Sequence, residues 1–250
     1  MSRAMSWLVC IVFTLAPGLG AAASTQTRSV TSPRPIAAAL RLLETESGRP
    51  ITYEDSRYLH PSEIEDVTER VSKRRGKSGA PVLGPKSSAI EFSYRVDERS
   101  RPLDLREAIR SVLELDAARG ARFIAWSDED EAVFHVAATA VLGPAGTIDA
   151  LAPALDQVIH VPPKPRSGLE FLEAICKAVS ATGRYPLILG VVPTNALQQH
   201  RMSGGIIGAK ARPALSALLA RLNRRLSWSV LHDVTRGADV LNIHMVRPIQ

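Results

Sequence analysis

Between residues 167 and 246 apolar side chains fall first at helical spacing and then at strand spacing. Leu172, Ile175, Cys176 and Val179 share one face of a helix over 167–182. Leu215, Leu218, Leu219 and Leu222 do the same over 212–223. Strands are predicted over 186–192 and 202–208 between the helices, and over 226–231 and 239–246 after them. Residues 156–161 alternate as a further strand ahead of them, and Ser167 with Glu170 forms a capping box at the first helix. Neither helix can bury its apolar face alone, so both are expected to pack on small sheets.

The same order is legible upstream. Pro35 opens a helix through Glu46 with Ile36, Leu40 and Leu43 on one face; Gly48 stops it and Pro50 bars its resumption. A short strand over 51–54 follows, and Ile90, Phe92, Tyr94 and Val96 alternate with polar residues. A helix begins at Asp104, with Glu107 three residues on and Leu105, Ile109 and Val112 on one face. Strands over 122–127 and 132–138 then form a hairpin around Asp128-Glu129-Asp130. Each half ends its first helix at a glycine (Ser47-Gly48-Arg49-Pro50, Thr182-Gly183-Arg184-Tyr185-Pro186) and carries one hairpin tryptophan, Trp126 or Trp228. Two copies make a duplicated module, not a solenoid.

Three stretches stand outside the repeat. Residues 24–35 read as a polar leader or an edge strand. Residues 59–88 are an insertion in which Ser62 and Glu65 form a capping-box pattern, with a helix predicted as far as Gly76. Residues 142–154, with Gly143-Pro144-Ala145-Gly146, read as a linker. The predicted class is α+β: a tandem pair of small lobes, 24–142 and 156–250, joined by a linker over 143–155. Each lobe has two helices on short mixed sheets, and the first carries the insertion over 59–88.

Leu172, Ile175, Gly183, residues 186–189, Leu215, Leu218, Leu219, Leu226, Trp228 and Val230 carry a resemblance. Their order resembles the small domain at the N-terminus of secretins and of TonB-dependent receptors, most clearly over 157–246 and more weakly over 35–138. The resemblance implies a periplasmic recognition module without catalytic activity. Its partners would be envelope proteins, secretin or receptor components among them. No barrel or secretin ring follows before Gln250, so the expectation is a freestanding adaptor.

The N-terminus agrees with export. Arg3, an apolar run over 7–15 and Ala21-Ala22-Ala23 are the three parts of a signal peptide over residues 1–23, cleaved after Ala23. The run is too short to span a membrane, which takes about 20 residues. Cleavage removes Cys10 and leaves Cys176 unpaired, so no intramolecular disulfide can form and the core must carry stability. Lys and Arg number 31 against 25 Asp and Glu, a net +6, or +5 without Arg3. That excess is compatible with an acidic partner without requiring one.

Chemistry-bearing motifs are sparse. The six histidines, His60, His135, His160, His200, His232 and His244, show no metal-ligand spacing, and His135, His160 and His244 are expected at sheet surfaces. No nucleophile elbow exists, Cys176 lies on an apolar helix face, and no cofactor is expected. Two contact surfaces remain. Gly204, Gly205, Ile206 and Gly208 form a glycine-rich strand that is either a bulged segment or an edge receiving a partner strand. Arg70, Lys73, Arg74, Arg75 and Lys77 form a basic run that is either a solvated helix end or a polyanion-binding patch. Without interleaved aromatic residues the run disfavours nucleic acid.

Overall fold

The computed structural model describes residues 24–75, 81–117, 122–222 and 225–247. The predicted signal peptide, Lys77 and the helix ends at Gly76, Gly120 and Asn223 lie outside the described residues. The first half runs β1 (Ser24–Ser32), α1 (Pro35–Ser47), β2 (Ile51–Glu54), β3 (Ile64–Asp66), α2 (Thr68–Arg75) and β4 (Leu83–Pro85). It continues with β5 (Ser88–Val96), α3 (Leu105–Ala117), β6 (Phe123–Ser127) and β7 (Phe134–Ala138). A hairpin of β8 (Ala140–Leu142) and β9 (Ile148–Ala150) follows. The second half runs β10 (Val158–Val161), β11 (Arg166–Ser167), α4 (Gly168–Thr182), β12 (Leu187–Leu189), α5 (Thr194–Gln199) and β13 (Arg201–Met202). It ends with β14 (Ile206–Lys210), α6 (Ala211–Arg221), β15 (Leu226–Asp233) and β16 (Ala238–Met245). The class is α+β.

The main strand pairings repeat between the halves, while β3, α2 and β4 of the first and β11, α5 and β13 of the second have no counterpart. β1 pairs antiparallel with β5, and β10 with β14. β2 runs parallel to β7, which pairs antiparallel with β6; likewise β12 runs parallel to β16, which pairs antiparallel with β15. The polar stretch after residue 24 is therefore a full strand, the counterpart of β10. Register also corrects the tryptophan correspondence. Ile51 faces Phe134 where Leu187 faces Asp239, so Trp228 corresponds to Phe123 and Trp126 to Leu231.

The halves do not hang on a linker. β15 pairs in parallel with β2, Ser229 beside Tyr53 and Val230 beside Glu54, giving one sheet of order β12-β16-β15-β2-β7-β6. Ile51, Tyr53, Phe134 and Val136 face α1 and α3 in the first core, whereas Trp228, Val230, Leu241 and Ile243 face α4 and α6 in the second. Because Tyr53 neighbours Ser229 and not Val230, the two helix pairs lie on opposite faces of the sheet. The halves are thus related by a half-turn about an axis crossing the strands, plus a shift of three strands, about 14 Å at the usual strand spacing.

The predicted linker is instead the β8–β9 hairpin, turned at Gly143–Gly146 by a glycine at φ 80°. The segment between β12 and β14 holds α5, whose Leu197 is fully buried in the second core. The insertion differs from its prediction. Ser62 lies in a 3-10 turn, Ile64 to Asp66 form a strand paired with β4, and the helix starts only at Thr68. The Ser62 hydroxyl is held by His60 Nδ1 at 2.6 Å and the Glu65 carboxylate by Arg70 at 2.6 Å, so neither closes the capping box. The Ser167–Glu170 box is formed, and Asp104 caps α3 through the Glu107 amide.

Among the described residues of 59–87, none belongs to either core. Replacing 60–86 with a Gly/Ser linker, leaving Ser88 at the start of β5, should therefore give a folded protein with a cooperative melt and an unchanged far-UV spectrum outside the lost segment. Loop-length changes cost about 0.6 kcal/mol per doubling. A deletion that fails to fold would show that the contacts of Glu63 with Arg122 and of Leu83 with Thr235 are essential.

Candidate partner-binding surface

Glycines at two positions shape β14 in different ways. Gly204 and Gly205 lie in the bend ahead of the strand, so of the glycine-rich stretch only Ile206 and Gly208 are within it. A Cβ at Gly205 would sit 2.6 Å from the Val161 carbonyl oxygen and 2.7 Å from the Pro163 nitrogen. Gly205 is thus a close approach of two backbones. Gly208 has φ 63° and occupies the point where the β10–β14 register slips, a bulge that needs the left-handed region. Gly205→Ala should destabilise by about 1–3 kcal/mol, as added atoms in a filled space do, read as a lowered melting temperature.

Ile206 is buried in the second core, and Ile207 turns outward at 74% exposure. It lies opposite the exposed His160, with Val158 57% exposed on the same face. The equivalent sheet in the first half has a different solvent face: Thr25, Thr27, Ser29 and Thr31 of β1 against Glu91, Ser93 and Arg95 of β5. Thr27 and Ser93 even hydrogen-bond across the strands at 2.8 Å. One copy of the module has a polar outer face; the other sets two exposed apolar side chains, Val158 and Ile207, opposite Lys210 and His160. β14 pairs only with β10 among the described residues, so its far edge also presents backbone groups.

The basic run is dispersed by comparison. Arg70 is exposed and paired with Glu65 at 2.6 Å. Lys73, Arg74 and Arg75 form the end of α2, and Lys77 is outside the described residues. Arg225 donates to the Gly48 carbonyl across the joint between halves at 3.3 Å.

That joint holds the polar groups that sequence reasoning missed. Arg212, at the start of α6, is buried and forms an ion pair with Glu54 at the end of β2. Its Nη2 donates to Asp156 at 2.9 Å, and its guanidinium lies 4.9 Å from the Trp126 ring centre and 5.8 Å from that of Trp228. His135 stacks on Trp126, lies beside Trp228, and bonds Thr52 Oγ1 at 2.7 Å. Its expected surface position is corrected: it is buried, and burial with the nearby Arg212 pushes its pKa down to about 4. Burial pushes Glu54 the other way, to about 7, against the attraction of Arg212. On the opposite face Glu44 accepts from the Ile51 amide at 2.9 Å and pairs with His244 at 2.7 Å, while His232 pairs with Asp239 on the same face as Glu54.

These groups are neutralised by one another. A cleft of about 380 Å³ beside the insertion carries the same signature, with Arg34 paired to Asp55 and Arg122 to Glu63. Burial raises the Cys176 thiol to about 12, which keeps it protonated and unreactive at neutral pH. Among the described residues no His, Cys, Asp and Glu group could hold a metal ion, and no helix is long and apolar enough to cross a membrane. Compared with protein-family models, with curated proteins and with solved structures, the chain gives no match to any of them.

Proposed function

We propose that this protein is an exported, periplasmic, non-catalytic protein-interaction module whose partner is an envelope protein, with secretin or receptor components as the leading class. The observation that carries the reading is the contrast inside the repeat. The two sheets share their antiparallel pairing, and the second exposes Val158 and Ile207 beside His160 and Lys210 where the first exposes threonine, serine and charge. A partner strand added along β14 would be held by main-chain hydrogen bonds and would lie beside Ile207, with Val158 one strand further on the same face. The polar joint and the inert thiol support a scaffold role over a chemical one.

The test places a photo-crosslinking residue at Ile207, and at Thr27 as the matched control, in the cells that make the protein. Position 207 should yield one discrete adduct in the periplasmic fraction and position 27 none. Val158→Lys with Ile207→Lys should abolish capture while the purified protein melts like the wild type. The same adduct from both positions, or capture undiminished in the double-lysine variant, would sink this reading. Capture lost instead on adding modest salt would favour an anionic partner at Arg70, Lys73, Arg74, Arg75 and Lys77.

A further inference from the structure

The joint between the halves is heterologous, and a heterologous contact leaves its two complementary surfaces free at the ends. Each half is built in the order β12-β16-β15 or β2-β7-β6, and the joint places the last strand of one against the first strand of the other, in parallel. The same two kinds of edge recur unpaired at the ends of the six-stranded sheet: β12, equivalent to β2, and β6, equivalent to β15. From this repetition the geometry points to a second copy of this chain as an occupant: β6 of one molecule adds in parallel to β12 of the next, extending the sheet head to tail. The contact uses edges other than β14 and stands independently of the function proposed above.

The backbone is set for it on both sides, save that the Val191 amide, counterpart of the Asp55 amide that bonds Val230 in the joint, is held by Asn242 Oδ1. The Thr139 amide bonds the Arg122 carbonyl and the Asp128 amide bonds that of Val133. Alternation then turns the groups of Ile124 and Trp126 toward β7 and those of Phe123, Ala125 and Ser127 outward. On β12, the bonds from the Asp239 amide to Pro186 and from the Gly190 amide to Leu241 leave Leu187 and Leu189 facing outward. Ser180 Oγ accepts from the Leu187 amide at 2.8 Å. Glu44 does the same for Ile51 within the existing joint, where the incoming strand engages the next outward residue, Tyr53. Leu189 is the counterpart of Tyr53 and is left to receive it.

The side chains match in kind. Ile124 on β6 is 50% exposed and Val191, just past β12, is 77% exposed. Arg106, second residue of α3, stands where Arg212 stands on α6, and it rests exposed on Ser127 and Glu131 of its own hairpin. One difference sets the strength. Gly190 replaces Glu54 on β12, and Asn242 Oδ1 occupies the space its side chain would take. Arg106 of the incoming copy therefore meets an amide, not a buried carboxylate, so association between molecules is weaker than the joint within one. A half-turn with translation does not close, so the product is an open chain of molecules and not a symmetric dimer.

Sedimentation of the purified protein over a wide concentration range should show mass rising steadily past the dimer. Val191→Lys and Ala125→Pro should each hold it at the monomer; Val191 is exposed, so the first variant keeps the wild-type melting temperature even if the second does not. Cysteines then read the geometry. Ile124→Cys and Leu189→Cys alone should give no disulfide-linked species on mild oxidation, their equimolar mixture should give a dimer, and the double variant a ladder. A monomer at every concentration, or a disulfide dimer from either single variant alone, overturns the proposal.

Discussion

Arg212→Ala lowers the unfolding free energy by about 3–5 kcal/mol, the range for removing one partner of a buried ion pair. The loss is large because Glu54 stays behind, buried, with no cation to offset the desolvation that already raises its pKa. Its Oε1 faces Arg212 Nη1, neither atom has another hydrogen-bond partner, and its Oε2 accepts only from the Leu155 amide at 3.2 Å. Arg212 also loses its place over Trp126, so the variant strips cover from the sheet at the point where the halves meet. Chemical denaturation of Arg212→Ala, Glu54→Gln and the double variant measures the coupling. A double variant no less stable than Arg212→Ala alone would locate the damage in the stranded carboxylate. Single variants within experimental error of the wild type would remove the ion pair from the joint.

The same site gives the stability a pH dependence of known sign. Glu54 titrates near 7 in the fold and near 4.5 when unfolded, so between those values the native state holds a proton that the unfolded chain has released. Its contribution is complete below pH 4.5 and is lost as pH rises through 7. His135 works in the opposite direction, from about 6.5 unfolded to about 4 folded, and its contribution is lost as pH falls from 6.5 toward 4. The two oppose each other between about pH 4.5 and 6.5, and in the interval above that Glu54 alone tilts the curve. Glu54→Gln should flatten that last interval.

Leu172→Ala and Leu218→Ala each cost about 2–5 kcal/mol, the lost transfer energy plus a cavity that close packing cannot collapse. Both side chains are fully buried in the second core, one from α4 and one from α6. These helices pack on each other, so the double variant is expected to depart from the sum of the singles. Urea denaturation reads the effect as a lower midpoint at unchanged slope. Ile207→Ala, on the exposed face of β14, is the matched control and should melt with the wild type.

What the chain alone determined is whatever depends on neighbours in sequence. Helical spacing at Leu172, Ile175, Cys176 and Val179, the Ser167–Glu170 box and the alternation from Ile90 to Val96 each report a local period, and each became the element it predicted. The duplication was legible for the same reason, since two copies of one order of periods need no tertiary knowledge. The joint was not. Ile51 to Glu54 are all buried because both faces of β2 are covered, so the strand shows no alternation to reveal its face or its partner. Arg212 and Glu54 lie far apart along the chain, and each reads alone as an ordinary charged residue at an element's end. Only the pairing of β15 with β2 brings them together and turns two exposed-looking charges into a buried pair. Strand pairing across halves is decided by which edges are left uncovered once each core has formed. That is a property of the folded halves, which no window of sequence contains.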